Sequence, residues 1–133
     1  MLRAGVIALL ALASAAHAEK CPLASEKPMV EVQLFFGRDI EGRGPVTNNE
    51  WADFAATVLT RQFPDGFTVS DGEGQWRNPE SKAIVHEQSK IVTLAAPQSP
   101  ALARKLTDVM SAYRTRFHQQ SVGIVTRPVC AAF

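Results

Sequence analysis

The order in which hydrophobic periodicity changes along this chain limits its fold more than any other feature. Apolar residues recur at every second position at Val30, Val32, Leu34 and Phe36, with Glu31, Gln33 and Phe35 between them. That alternation marks a strand with one face on a core. The period then lengthens to that of a helix, where Trp51, Phe54, Ala55, Val58 and Leu59 form one apolar stripe. Thr47 and Glu50 provide a capping box at its start, and Val46 can staple onto Trp51. Pro64-Asp65-Gly66 stops this helix and turns the chain into a second strand, Phe67 to Ser70. Asp71-Gly72-Glu73-Gly74 reads as a bulge or tight kink, after which Gln75-Trp76-Arg77 resumes extended structure.

A turn at Asn78-Pro79-Glu80-Ser81 leads to a third strand, Ile84 to Ala95, whose faces are ambiguous because Ile91 and Val92 are adjacent. Ser99 as N-cap and Pro100 at the first helical position open a second amphipathic helix. Leu102, Leu106, Val109, Met110, Tyr113 and Phe117 line its apolar side, and it ends near His118. Ser121 to Cys130 supplies the last strand, and Pro128 within it suits a sheet edge.

The order strand, helix, strand, strand, helix, strand predicts an α+β domain of ferredoxin-like βαββαβ type. It has a four-stranded antiparallel sheet with two helices on one face. Right-handed crossovers give the strand order 4-1-3-2, which sets the start of the first strand beside the end of the fourth. Helices on one side leave the reverse of the sheet bare, where Phe35 and Trp76 lie among Glu31, Gln33 and Thr68. A bare face of that kind is polar, paired with a partner, or used to hold a ligand.

The N-terminus has the grammar of an export signal. Arg3 is the positive region, Ala4 to Ala13 the apolar run, and Ala16-His17-Ala18 the small-x-small cleavage site. The reading is residues 1–18 as a cleavable signal, 19–28 as a lead-in segment, and 29–133 as a single domain, cleaved after Ala18 and periplasmic or secreted. The apolar run is too short to span a bilayer, so no membrane span is expected after cleavage. Both cysteines, Cys21 and Cys130, lie in the exported part, and an oxidising compartment predicts a disulfide between them. With 14 basic and 13 acidic residues the formal charge is +1, and Arg3 in the signal accounts for that excess. A balanced charge argues against nucleic acid as a partner.

The chain carries no nucleophile-elbow serine, no phosphate-loop lysine and no His or Cys pair at metal spacing, so neither metal nor cofactor is expected. Gly72 and Gly74 lack the third glycine and the following helix of a nucleotide loop, and Ser89 and Lys90 point to opposite faces of a strand. What remains is a polar group at strand ends and loops: Arg38, Asp39, Asp71, Gln75, Arg77, Glu87 and Lys90, next to Trp76. One reading is an ion-pair network, such as Arg77 or Arg38 with Glu87. The other is a pocket for an anion or small ligand, with Arg38 and Arg77 as forked donors and Trp76 as a stacking wall.

Several of these segments resemble the bacterial domain-of-unknown-function 3574 family. They are Leu34-Phe35-Phe36-Gly37-Arg38, Trp51 with Phe54, Phe63-Pro64-Asp65-Gly66-Phe67-Thr68-Val69, Asp71-Gly72-Glu73-Gly74-Gln75-Trp76-Arg77 and Glu87-Gln88-Ser89-Lys90. Gln62 stands where an arginine is expected and Phe67 where a leucine is. The resemblance implies a small exported protein and brings no catalytic residue. The expectation is a non-enzymatic module that binds an unknown small molecule or protein partner through the bare face, which also suits a homodimer. The alternative is a small enzyme of the dimeric ferredoxin-like barrel type with its substrate on that same face.

Overall fold

In the computed structural model, which describes residues 20–133, strand β1 occupies Lys27–Gly37 and buries Val32, Leu34 and Phe36 completely. Residues 1–18, read above as an export signal, lie outside the described residues. Helix α1 opens at Thr47, whose hydroxyl accepts the Glu50 N–H at 3.2 Å while the Glu50 carboxylate accepts the Thr47 N–H at 2.8 Å. It comprises Asn48–Phe54, a π turn Ala55–Leu59 and a last turn Thr60–Gln62. The π turn, which periodicity did not announce, inserts one residue per turn and brings both Phe54 and Leu59 fully inward.

Strand β2, Thr68–Arg77, and strand β3, Ile84–Ala96, form one long hairpin. The expected kink at Asp71–Gly74 is absent, because pairing runs without a break from Thr68 opposite Thr93 to Arg77 opposite Ile84. Gly72 fits a straight strand for a packing reason, since a Cβ there would lie 2.9 Å from Ile91 Cδ1, whereas a Cβ at Gly74 would meet only the Glu87 carbonyl at 3.6 Å. The Ile91 contact settles β3, in which Val92 faces the core and Ile91 the reverse side. Helix α2, Pro100–Phe117, is capped by the Ser99 hydroxyl, which accepts the Leu102 N–H at 3.0 Å, and it ends at His118 in the left-handed region, φ 52°. Strand β4, Gly123–Ala131, completes the sheet.

The spatial order is β2-β3-β1-β4 with every neighbouring pair antiparallel, which is the ferredoxin-like order read from the other edge. One core joins the inward residues of β1 and β3 to both helices. At its centre Tyr113 packs against Phe36, Phe54 and Phe117 with ring centroids 4.7, 5.1 and 4.8 Å apart. Tyr113 donates to the Gly37 carbonyl at 2.8 Å, so its one polar atom is satisfied, and burial pushes its phenol above the ordinary value. Pro28 pairs with Cys130, and Cys21 is bonded to Cys130 with Cα atoms 5.6 Å apart, tying the chain ends together at one corner as the topology required.

Candidate functional site

Register decides which side chains share the reverse face. Phe35 pairs with Ile91 and Gly123; Gly37 with Ser89; Ser89 with Gly72; Glu87 with Gly74; Val85 with Trp76. All of these therefore stand on the side away from the helices, where cross-strand partners are close and diagonal partners lie within reach of long side chains. Ser89, Gly72 and Gly74 thus form a low strip on this face, a depression only in the sense that their side chains are small or absent, with Ile91 reaching over Gly72. Phe35 and Ile91 wall one end, and Trp76 and Val85 the other. Glycine in a strand interior is characteristic of a place where another group comes close to the backbone.

Glu87 borders this depression. Its carboxylate lies across Gly37, where a Cβ would come within 2.8 Å of Glu87 Cδ, and its Oε1 accepts the Asp39 N–H at 3.2 Å. The ion-pair network expected for Glu87 is not formed. Among the described residues no lysine, arginine or histidine stands within ion-pair distance of it. The two arginines expected to pair with it are engaged elsewhere. Arg38 Nε donates to the Val46 carbonyl at 2.8 Å, and its Nη2 donates to the same carbonyl and to Asn48 Oδ1 at 3.1 Å, which closes the loop before α1. Arg77 Nε donates to the Lys82 carbonyl at 3.2 Å in the β2–β3 turn.

The polar group read from sequence is thus divided between two faces. Trp76 and Glu87 stand on the reverse face. Arg38, Asp71, Gln75, Arg77 and Lys90 stand on the helix side, where Asp71, Gln75 and Arg77 are exposed and Arg38 and Lys90 partly covered. There Lys90 Nζ bonds Asp71, and this cation, with Arg38 behind it, holds the Asp71 carboxyl below its ordinary range. Opposite faces follow from the two-residue strand period, since Arg77 and Trp76 are neighbours in sequence. A forked arginine clamp beside Trp76 is therefore not assembled.

A second concavity, about 370 Å³, lies at the far end of the molecule between the end of α1 and the start of α2. Phe63, Leu94, Leu102 and Phe133 line it, with Asp65 and Lys105 at its rim. Its walls are apolar and no set of polar groups converges in it, so the chemistry of the molecule is better represented on the sheet. Sequence reasoning missed this groove because its lining comes from four separate segments. It also missed the floor of the depression, although Gly72 and Gly74 are spaced two apart and so share a face in any strand.

A family profile described as "Protein of unknown function (DUF3574)" matches residues 31–133, and the chain belongs to that family. No curated protein matches the chain. Among solved structures, a phage SAM lyase in complex with S-methyl-5'-thioadenosine is similar at TM-score 0.59 and 15% identity over 79% of this chain and 90% of that one. The phage SAM lyase in its apo state is similar at TM-score 0.57 and 12% identity, over 87% and 97%. These likenesses concern the fold. They nevertheless correct the expectation of a non-enzymatic module. That expectation rested on the missing nucleophile, metal set and cofactor loop, and a chain of the same fold is a lyase. Lyase chemistry as a class depends on a placed base and a suitable electrostatic setting, and none of the three missing features is a requirement for it.

Proposed function

We propose that the protein is a small enzyme whose substrate lies in the depression on the reverse face of the sheet, with Glu87 as its functional carboxylate. The observation that carries this reading is the seat of Glu87. The carboxylate is held over Gly37 by the Asp39 N–H, has no cationic side chain within ion-pair distance among the described residues, and borders a floor of small residues between aromatic walls. A carboxylate with the exposed Trp76 ring and the half-buried Phe35 ring on its face attracts a positive centre, and glycine backbone at Gly74 accommodates a flat ring. The substrate class is a small molecule joining a flat ring to a positive centre, and S-adenosylmethionine is the example that the similar solved structures supply. As the bond to the positive centre breaks, its electron pair leaves with that centre and neutralises it. Glu87 balances the charge until then and takes the proton from the carbon next to the broken bond, whose C–H electron pair becomes the new carbon–carbon double bond. The disulfide and the export signal read from the sequence support action outside the cytoplasm, in the periplasm or secreted.

The test uses fluorescence of Trp76 in a Trp51→Phe background, titrated with S-adenosylmethionine and with S-methyl-5'-thioadenosine, while chromatography follows conversion of the first into the second. Saturable quenching that weakens at least tenfold in Glu87→Gln is expected, about 1.4 kcal/mol. Absence of any response from Trp76 to either compound would overturn the reading.

A further inference from the structure

Strand β2 buries none of its residues. Gly72 alone is partly covered, while Trp76 is 48% exposed and Val69 37%. It is also an edge strand, and among the described residues no backbone hydrogen bond reaches it from outside its own hairpin. Sheet edges are normally guarded by proline, by charged side chains, by a bulge, or by a covering helix or loop. The other edge, β4, carries Pro128. β2 carries no proline, and its charges are of both signs and arranged about a centre.

We propose that β2 is the contact through which two copies of this chain pair, antiparallel and edge to edge, about a twofold axis at Gly74. The argument is one of charge and shape complementarity. Pairing that keeps both reverse faces on the same side places residues of like parity opposite each other, which leaves few registers. Centred on Gly74, Asp71 stands opposite the partner's Arg77 and Arg77 opposite the partner's Asp71. Glu73 meets the partner's Gln75, and Gly72 meets the partner's Trp76. Both bulky rings thus stand opposite a residue without a side chain, beside Ile91. Centred on Glu73, that carboxylate would oppose itself, and centred on Gly72, Asp71 would oppose the partner's Glu73. Centred on Gln75, only Glu73 to Arg77 would remain within the strands. Because the helices leave the near side of β2 uncovered, a second copy can approach without meeting them.

The pairing joins the two sheets into one and brings the partner's Trp76 to Gly72, the floor of the depression. That ring becomes a third aromatic wall beside Ile91. The contact itself does not depend on the catalytic reading, since it is measured as mass.

The experiment is sedimentation of the disulfide-intact protein at micromolar concentration. A dimer is expected. Arg77→Asp sets two acidic pairs against each other and Asp71→Arg two basic pairs, so each variant alone should dissociate at least tenfold more readily. Mixed in equal amounts they restore both opposite-charge pairs, and the dimer mass should return. Circular dichroism confirms that each variant is folded; should Asp71→Arg lose its fold with the Lys90 contact, the neutral variant Arg77→Ala, weakened less than Arg77→Asp, takes its place. A monomeric wild type, a trimer, or a dimer indifferent to Arg77→Asp would overturn the pairing. The last result would point to the reverse face as the contact, because Arg77 does not stand on it.

Discussion

Replacing Gly37 with alanine separates the seat of the Glu87 carboxylate from the stability of the fold. The new Cβ would lie 2.8 Å from Glu87 Cδ, closer than real Cβ atoms come, so the carboxylate must withdraw and release the Asp39 N–H. Asp39 is exposed, so water replaces most of what its amide loses, and the cost is about 1 kcal/mol. Against this, alanine reduces the entropy of the unfolded chain and returns about 0.4 to 1 kcal/mol. The two effects nearly cancel, and urea denaturation should place Gly37→Ala within about 1 kcal/mol of the wild type. Gly74→Ala is the matched control. Its Cβ would meet only the Glu87 carbonyl at 3.6 Å, an ordinary contact, so it should be stabilised by the full entropic amount. If Glu87 acts from its seat, Gly37→Ala should bind the nucleoside probes at least tenfold more weakly at nearly unchanged stability. A Gly37→Ala protein stabilised like Gly74→Ala, with binding intact, would refute the claim that Gly37 exists to seat that carboxylate.

Serine at both Cys21 and Cys130 opens a loop spanning 109 positions, worth about 4.8 kcal/mol in the chain-entropy relation and about 2 to 4 in practice, read as a drop in the urea midpoint that dithiothreitol reproduces in the wild type. Tyr113→Phe leaves the Gly37 carbonyl without its buried donor and should cost about 1 to 2 kcal/mol by the same measurement. Because burial raises the Tyr113 phenol, its contribution is complete below the ordinary tyrosine range and declines as pH rises beyond about 10, which thermal scans at alkaline pH would register. Glu50 is held down to about 2, first by the Arg43 guanidinium and then by the Thr47 N–H, so its contribution is present above the ordinary carboxylate range and fades as pH falls from about 5 towards 2. The difference in thermal midpoint between wild type and Arg43→Ala should shrink over that acid window, and shrink at neutral pH when salt is added.

Local rules made most of the fold legible. The Val30 to Phe36 alternation, the Thr47 and Glu50 box, the Ser99-Pro100 start and the His118 end each depend on a few neighbouring residues, and each stands where those residues place it. The cysteines were legible for a different reason, since the ferredoxin-like order makes neighbours of β1 and β4. What could not be read locally was decided by partners distant in sequence. Asp71 to Gly74 has turn composition, yet continuous pairing with β3 overrides it. Arg38 looked available to a ligand until the loop to Val46 folded back onto its guanidinium. The division of Trp76 from Arg77 was implicit in strand period, but only once the strand was known to run through both.

The composition of β2 is the strongest physical argument that function gathers on this side of the molecule. A strand that contributes no buried residue is free of the core's demand for volume and apolarity, so its side chains answer to solvent, ligand or another chain. Solvent alone would favour a strand of charged and β-branched residues. β2 instead carries two glycines, which weaken a strand, and a tryptophan 48% exposed, which water does not favour. At Gly72 the Ile91 side chain takes the space of a Cβ, but neither Gly74 nor Trp76 helps the hairpin fold. Both make sense if the glycine backbone receives a ring, and the two assignments made above differ in whose ring it is: that of a bound molecule resting against Glu87, or that of Trp76 from a second copy across the edge. The positions are compatible. The partner's ring would stand beside Gly72 and Ile91 while Glu87 lies opposite Gly74, so the pairing would add a wall to the depression without filling it. On that geometry, variants that dissociate the dimer without touching the reverse face, such as Arg77→Asp, should weaken nucleoside binding through loss of that wall while Glu87→Gln weakens binding and leaves the mass unchanged.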